Sequence, residues 1–121
     1  MTAKKAGDLA FNRPSLYGSG SETTYAGALS FMRRRYTRDL DGVDLVVTGV
    51  PLDTATTNRP GARFGPRAIR AASTIMAWER PYGLAFDPFE RLAVIDYGDC
   101  VFDFGRPETV PQAIENHAFN I

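Results

Sequence analysis

The residues with the clearest chemical capacity lie in one polar loop within GVPLDTATTNRPGARFGPRAIR, Gly49 to Arg70. Thr54, Thr56, Thr57 and Asn58 offer hydrogen-bonding groups, and Arg59 and Arg63 offer cations. Gly65-Pro66 reads as a helix start, whose N-terminus adds a partial positive charge. A phosphate cradle is one reading of this set. The loop has neither G-x-G-x-x-G nor G-x-x-x-x-G-K-[ST], which argues against a nucleotide. The glycines of YGSGSET, Tyr17 to Thr23, follow no strand and argue for one still less.

A second group of candidates sits further along. Asp96 and Asp99 are three residues apart after an apolar run; they read as turn formers and local caps, or as a metal pair. His117 is the single histidine. Near the end of a helix it reads as a surface or packing residue, because a zinc or manganese site needs several convergent ligands. Cys100, the single cysteine, has no CxxC partner and no neighbouring histidine, so it reads as an inert thiol. Trp78 reads as core or interface. The cluster Arg33, Arg34, Arg35 and Arg38 invites a phosphate site, but a solvated helix face paired with Asp39 and Asp41 is the simpler reading. These residues supply no nucleophile–base pair.

The elements that must position these groups follow from pattern. Residues 1–27 hold scattered Gly, Ser and Thr without a sustained period and read as a flexible N-terminal arm. ALSFMRRRY, residues 28–36, reads as a short helix. VDLVVTGV, Val43 to Val50, is a short β-branched run of the kind buried on both faces of a parallel sheet; Pro51 ends it, having no N–H for the ladder. Proline at Pro66 suits a first helical position. In that helix Ile69, Ala72 and Met76 form a stripe widened by Ala68 and Ile75, with Arg67, Arg70 and Thr74 elsewhere; it ends near Glu79, before Pro81. RLAVID, Arg91 to Asp96, is a second strand, and Val110–Asn120 a second helix capped by Thr109. Strand, helix, strand, helix implies a βαβ unit with a right-handed crossover, hence an α/β parallel sheet. In such sheets ligands gather at the carboxyl ends of strands, where both the loop and the Asp96/Asp99 pair fall.

Composition limits the rest. At 121 residues there is at most one ordinary domain, and the net charge is +0. Nothing in that balance points to nucleic acid or an acidic membrane surface. No run approaches the ~20 apolar residues of a membrane span, and no secretory signal is visible at the start. A lone cysteine fits a reducing compartment, so a soluble cytoplasmic protein is expected.

At the loop the chain resembles a known family. GVPLDTATTNRPGARFGPRAIRAAS is similar to the N-terminal signature of the ureohydrolase (arginase/agmatinase) family, most of all its agmatinase branch. The likeness continues through MAWERPYG, FDPFERLAVIDYGDCVFDFG and the helix near AIENHA, spanning about residues 40–118. The resemblance implies a three-layer α/β/α fold with a mostly parallel eight-stranded sheet. It implies hydrolysis of agmatine, a guanidino compound, to putrescine and urea at a dinuclear Mn²⁺ centre, where the metals lower the pKa of a bound water. It also implies an oligomer. Thr57, Asn58, Arg59, Arg63 and Phe64 match the family's loop near the mouth of the active site and near subunit contacts. Asp96 and Asp99 match the end of a strand outside the metal set. The family's metal-ligand segments, Gly-Gly-Asp-His, Asp-Ala-His-x-Asp and Asp-x-Asp, do not occur in this chain.

Residues 28–121 are therefore expected to be the N-terminal part of a truncated, incomplete ureohydrolase domain, inactive alone. The alternatives are a noncatalytic module that pairs with a full-length ureohydrolase, another guanidino-acid amidinohydrolase such as a guanidinobutyrase, and a phosphate- or nucleotide-binding βαβ piece. With two parallel strands a marginal monomer that associates is expected.

Overall fold

The computed structural model describes residues 8–18, 22–77 and 80–121. Three strands, β1 (Arg35–Tyr36), β2 (Leu45–Gly49) and β3 (Val94–Asp99), form one sheet in the order β1-β3-β2, all parallel. Among the described residues three α-helices accompany them: α1 (Leu9–Asn12), α2 (Gly65–Ser73) and α3 (Val110–Phe119). The α2 crossover joins β2 to β3, so the βαβ expectation holds. β3 is central and buried along Val94–Tyr97, with Ala93 just before it. Full burial of a side chain such as Ile95 contributes about 1.5–3 kcal/mol. A smaller cluster of Cys100, Phe102 and Val110, joined by Leu52, Ala113 and Ile114, packs α3 against the chain leaving β3.

Several expectations are corrected. β2 is not enclosed on both faces. It forms an edge of this sheet, with Leu45 exposed and Val46, Val47 and Thr48 half-buried. Thr109 precedes α3 but does not cap it; its hydroxyl donates back to the Arg106 carbonyl at 2.7 Å. Residues 28–36 do not form an α-helix. A 3-10 turn at Phe31–Arg33, with Met32 and Arg33 at φ 50° and 54°, leads into β1, a strand too short to give a pattern. The proposed helix end at Glu79, and Trp78, lie outside the described residues.

The arginine cluster is the largest correction. Arg33 and Arg34 are 1% and 0% exposed, not a solvated face. The Arg33 guanidinium donates to the carbonyls of Ala26 (2.7 Å), Thr23 (2.8 Å) and Ala28 (3.1 Å) and faces Glu22 at 3.7 Å. Such a planar fork can be buried when backbone acceptors satisfy it. Arg34 stacks over the Phe89 ring at 4.1 Å. Burial, with Arg13 nearby, pushes Arg34 down to about 10, still charged at neutral pH. Arg35 donates to the Arg13 carbonyl, and Arg13 to those of Gly18 (2.5 Å) and Arg33 (3.4 Å). Asp39 and Asp41 do not take up these charges: Asp39 accepts instead from the Asp41 N–H at 3.1 Å.

α2 is also turned against its expected face. Along α2 and the 3-10 turn Thr74–Met76 that continues it, Ile69, Ile75 and Met76 are 56–61% exposed, whereas Arg70, Ser73 and Thr74 are buried. The Ser73 hydroxyl accepts from the Met32 N–H at 2.8 Å, so the polar face of α2 meets the chain before β1.

Candidate functional site

The loop from Asp53 leaves the carboxyl end of β2 and returns to the start of α2. Its closure depends on Asp53, whose role pattern alone did not disclose. One carboxylate oxygen accepts from the Gly61 N–H at 2.7 Å and the Arg63 N–H at 3.4 Å. The other accepts from Arg63 Nε at 2.6 Å. The Asp53 carbonyl accepts from the Thr56 hydroxyl at 2.5 Å. The Arg63 guanidinium beside it, helped by the Gly61 N–H, holds the Asp53 carboxyl below the usual carboxylate range. A carboxylate ten residues before an arginine, across a Gly/Pro-rich stretch, was the available signal.

The five sequence-selected residues divide between two settings. Arg63 is engaged, paired with Asp53 and lying 5.6 Å from the centre of the Phe104 ring. Thr57, Asn58, Arg59 and Phe64 are exposed on the loop and the 3-10 turn that follows it. Ala55 and Arg59 hold positive φ values of 59° and 52°, an uncommon region for non-glycine residues that tends to be kept at binding loops.

Beside the loop, Asp96 and Asp99 converge on Arg70. Arg70 Nε and Nη2 meet the two Asp96 oxygens at 2.7 and 2.9 Å, and Nη1 reaches Asp99 at 2.9 Å. Asp96 also accepts from the N–H groups of Phe31 (2.7 Å) and Gly98 (2.9 Å). The bidentate pair raises the Arg70 pKa above its ordinary value. Two glycines make the approach possible. A Cβ on Gly49 would collide with Asp99 and Pro66, and Gly98, at φ +80°, lies against the Tyr36 hydroxyl.

These carboxylates do not fit a metal. Asp96 already accepts four hydrogen bonds, and a cation would have to displace Arg70 from both acids. Among the described residues no group of three or more His, Cys, Asp or Glu converges to hold one. His117 is half-buried, 2.7 Å from the Thr48 hydroxyl and edge-on to Tyr97 at 5.6 Å. Cys100 is buried, and that burial pushes its thiol up. No helix among the described residues is long and apolar enough to cross a membrane.

Comparison with known proteins agrees with this architecture. The family model for the arginase family matches residues 43–121. An agmatinase from Chromobacterium violaceum is 59% identical over 115 residues, 95% of this chain and 36% of that protein. An agmatinase from Neisseria meningitidis serogroup C is 53% identical over 76 residues, 62% of this chain and 25% of that protein. The crystal structure of a hypothetical agmatinase from Burkholderia thailandensis superposes with a TM-score of 0.90 at 64% identity, covering 95% of this chain and 36% of that one. The chain thus spans about a third of the length of the relatives it matches most fully. With its parallel sheet and the strand–loop–helix–strand order of its N-terminal part, the chain belongs to the arginase family.

Proposed function

We propose that this chain is the N-terminal part of an agmatinase, the enzyme that hydrolyses agmatine to putrescine and urea. The observation that carries the reading is identity of 59% to an agmatinase across 95% of the chain. The Asp53-closed loop, with Thr57, Asn58, Arg59, Arg63 and Phe64, is its contribution to the rim of the substrate site. The manganese ligands would come from sequence outside these 121 residues, since Asp96 and Asp99 are committed to Arg70. Residues 1–27 act as an N-terminal arm and 28–121 as the N-terminal part of the ureohydrolase domain, in a cytoplasmic oligomer. A guanidinobutyrase is the competing substrate reading. The exposed stripe on α2 favours a second role, pairing with a full-length homologue.

The test has two parts. The purified chain with Mn²⁺ and agmatine should release no urea and retain no stoichiometric manganese. A chimera in which this chain replaces the matching third of the Chromobacterium violaceum agmatinase should release urea from agmatine in preference to guanidinobutyrate. A folded chimera that is silent on agmatine, or that prefers guanidinobutyrate, would overturn the reading.

A further inference from the structure

A groove between the N-terminal segment and the carboxyl ends of the strands has no role in the reading above. It encloses about 480 Å³, within the range of small-molecule sites. One wall is apolar, from Phe11 of α1 and Leu29. The other is polar: Tyr36 at the end of β1, Asp99 at the end of β3, and Arg67 and Arg70 of α2. Arg67 and Arg70 are three residues apart, so they share one helix face.

The charges in this lining are unequal. Asp99 is the acid of the groove; Arg70 Nη1 lies 2.9 Å from both its oxygens but hydrogen-bonds only Oδ2, leaving Oδ1 without a hydrogen bond. Arg38 adds a further cation, donating to the Asp99 main-chain carbonyl at 3.1 Å. Arg67 has no ion-pair or hydrogen-bond partner among the described residues, and neither has the Tyr36 hydroxyl. Two free donors, one of them a cation, therefore face an apolar wall. The planar Arg fork matches a carboxylate bidentately, and with Arg67 and Arg70 against the single carboxylate of Asp99 the lining carries a net positive charge that disfavours an amine or guanidinium.

We propose that this groove binds a small carboxylate with a compact aromatic or apolar body. The carboxylate lies on Arg67 and the Tyr36 hydroxyl, and the body on Phe11 and Leu29. The site takes the opposite charge from agmatine and stands whether or not the agmatinase reading does.

The test is a titration of the 121-residue chain with benzoate, followed by amide chemical shifts, with benzylamine and inorganic phosphate as comparison ligands. Benzoate should give saturable shifts at Leu29, Tyr36 and Arg67. Arg67→Met should weaken it by at least about tenfold; Arg67→Lys, which keeps the charge but loses the fork, should weaken it less. Phe11→Ala and Tyr36→Phe should each weaken it severalfold. The same spectra report whether each variant is folded, and the comparison ligands are read on the unaltered chain. The proposal is overturned if benzoate gives no saturable shift at these residues, or binds folded Arg67→Met equally well. It is overturned equally if benzylamine or phosphate binds as tightly as benzoate.

Discussion

At the scale of single residues, two carboxylates organise the region and neither is free for chemistry. Asp96 is fully buried and ties β3 to α2 and to the turn at Phe31 through three hydrogen bonds, a fourth coming from Gly98 N–H of its own strand. Removing one partner of such a buried pair leaves an uncompensated charge, at a cost of about 3–5 kcal/mol. Arg70→Met should therefore lower the urea midpoint enough to leave the chain largely unfolded, whereas Arg63→Met, at a half-exposed pair, should barely move it. Asp53 acts locally. Its folded pKa is depressed, so its contribution to loop order is present above the ordinary carboxylate pKa of about 4 and is lost as pH falls through the lower folded value. Hydrogen exchange at the Gly61 and Arg63 amides should show protection at neutral pH that fades on acidification. Asp53→Asn should remove most of that protection and flatten its pH dependence; full protection in the variant would refute the assignment. Little of this was legible in the sequence. The loop's position was, from Pro51 and Gly65-Pro66, but the partner of Arg63 was not, because a hydrogen bond across a loop leaves no periodic trace. The buried Arg33 and Arg34 were misread because charge is ordinarily exposed, and their acceptors are backbone carbonyls that every residue carries.

At the scale of elements, α2 carries the sharpest contrast. The stripe of Ile69, Ala72 and Met76 was correctly placed on one face, and that face is the exposed one. The sheet is reached instead by Arg70, whose guanidinium meets Asp96, and by Ser73, which takes the Met32 N–H. Hydrophobic periodicity reports which residues share a face; it does not report what a helix turns toward. At a protein concentration low enough to keep the chain monomeric, the double substitution Ile75→Lys, Met76→Lys should change the unfolding free energy by no more than about 0.5 kcal/mol. Ser73→Leu should cost about 1–3 kcal/mol by overpacking, with a further loss from the orphaned N–H. Chemical denaturation of both variants checks this, and the reverse ranking would mean that α2 sits with its apolar stripe inward. The two longer strands were legible from their β-branched runs and from proline punctuation. β1 was not, because two residues carry no alternation.

At the scale of the whole molecule, the chain leaves much apolar surface uncovered. Phe64, Ile69, Ile75 and Met76 are exposed around α2, Phe119 at the end of α3, and β2 has a free edge. Exposed apolar surface on this scale is typical of proteins that associate. Sedimentation should show mass rising with protein concentration, and the melting temperature should rise with it; a sharp, concentration-independent transition in a monomer would contradict this. The strand order has a further consequence, for biosynthesis. β3 lies between β1 and β2 but is made last, so neither earlier strand has a pairing partner until residues 94–99 have emerged. A nascent chain on the ribosome therefore carries β2 for some 45 residues of elongation, and the amphipathic α2 for about the last 20 of them, a few seconds at about 5–20 residues per second, before these three strands can pair. During that interval its exposed β-branched strand is a natural substrate for a chaperone, and the arrival of Ile95 is the event that should end the need for one.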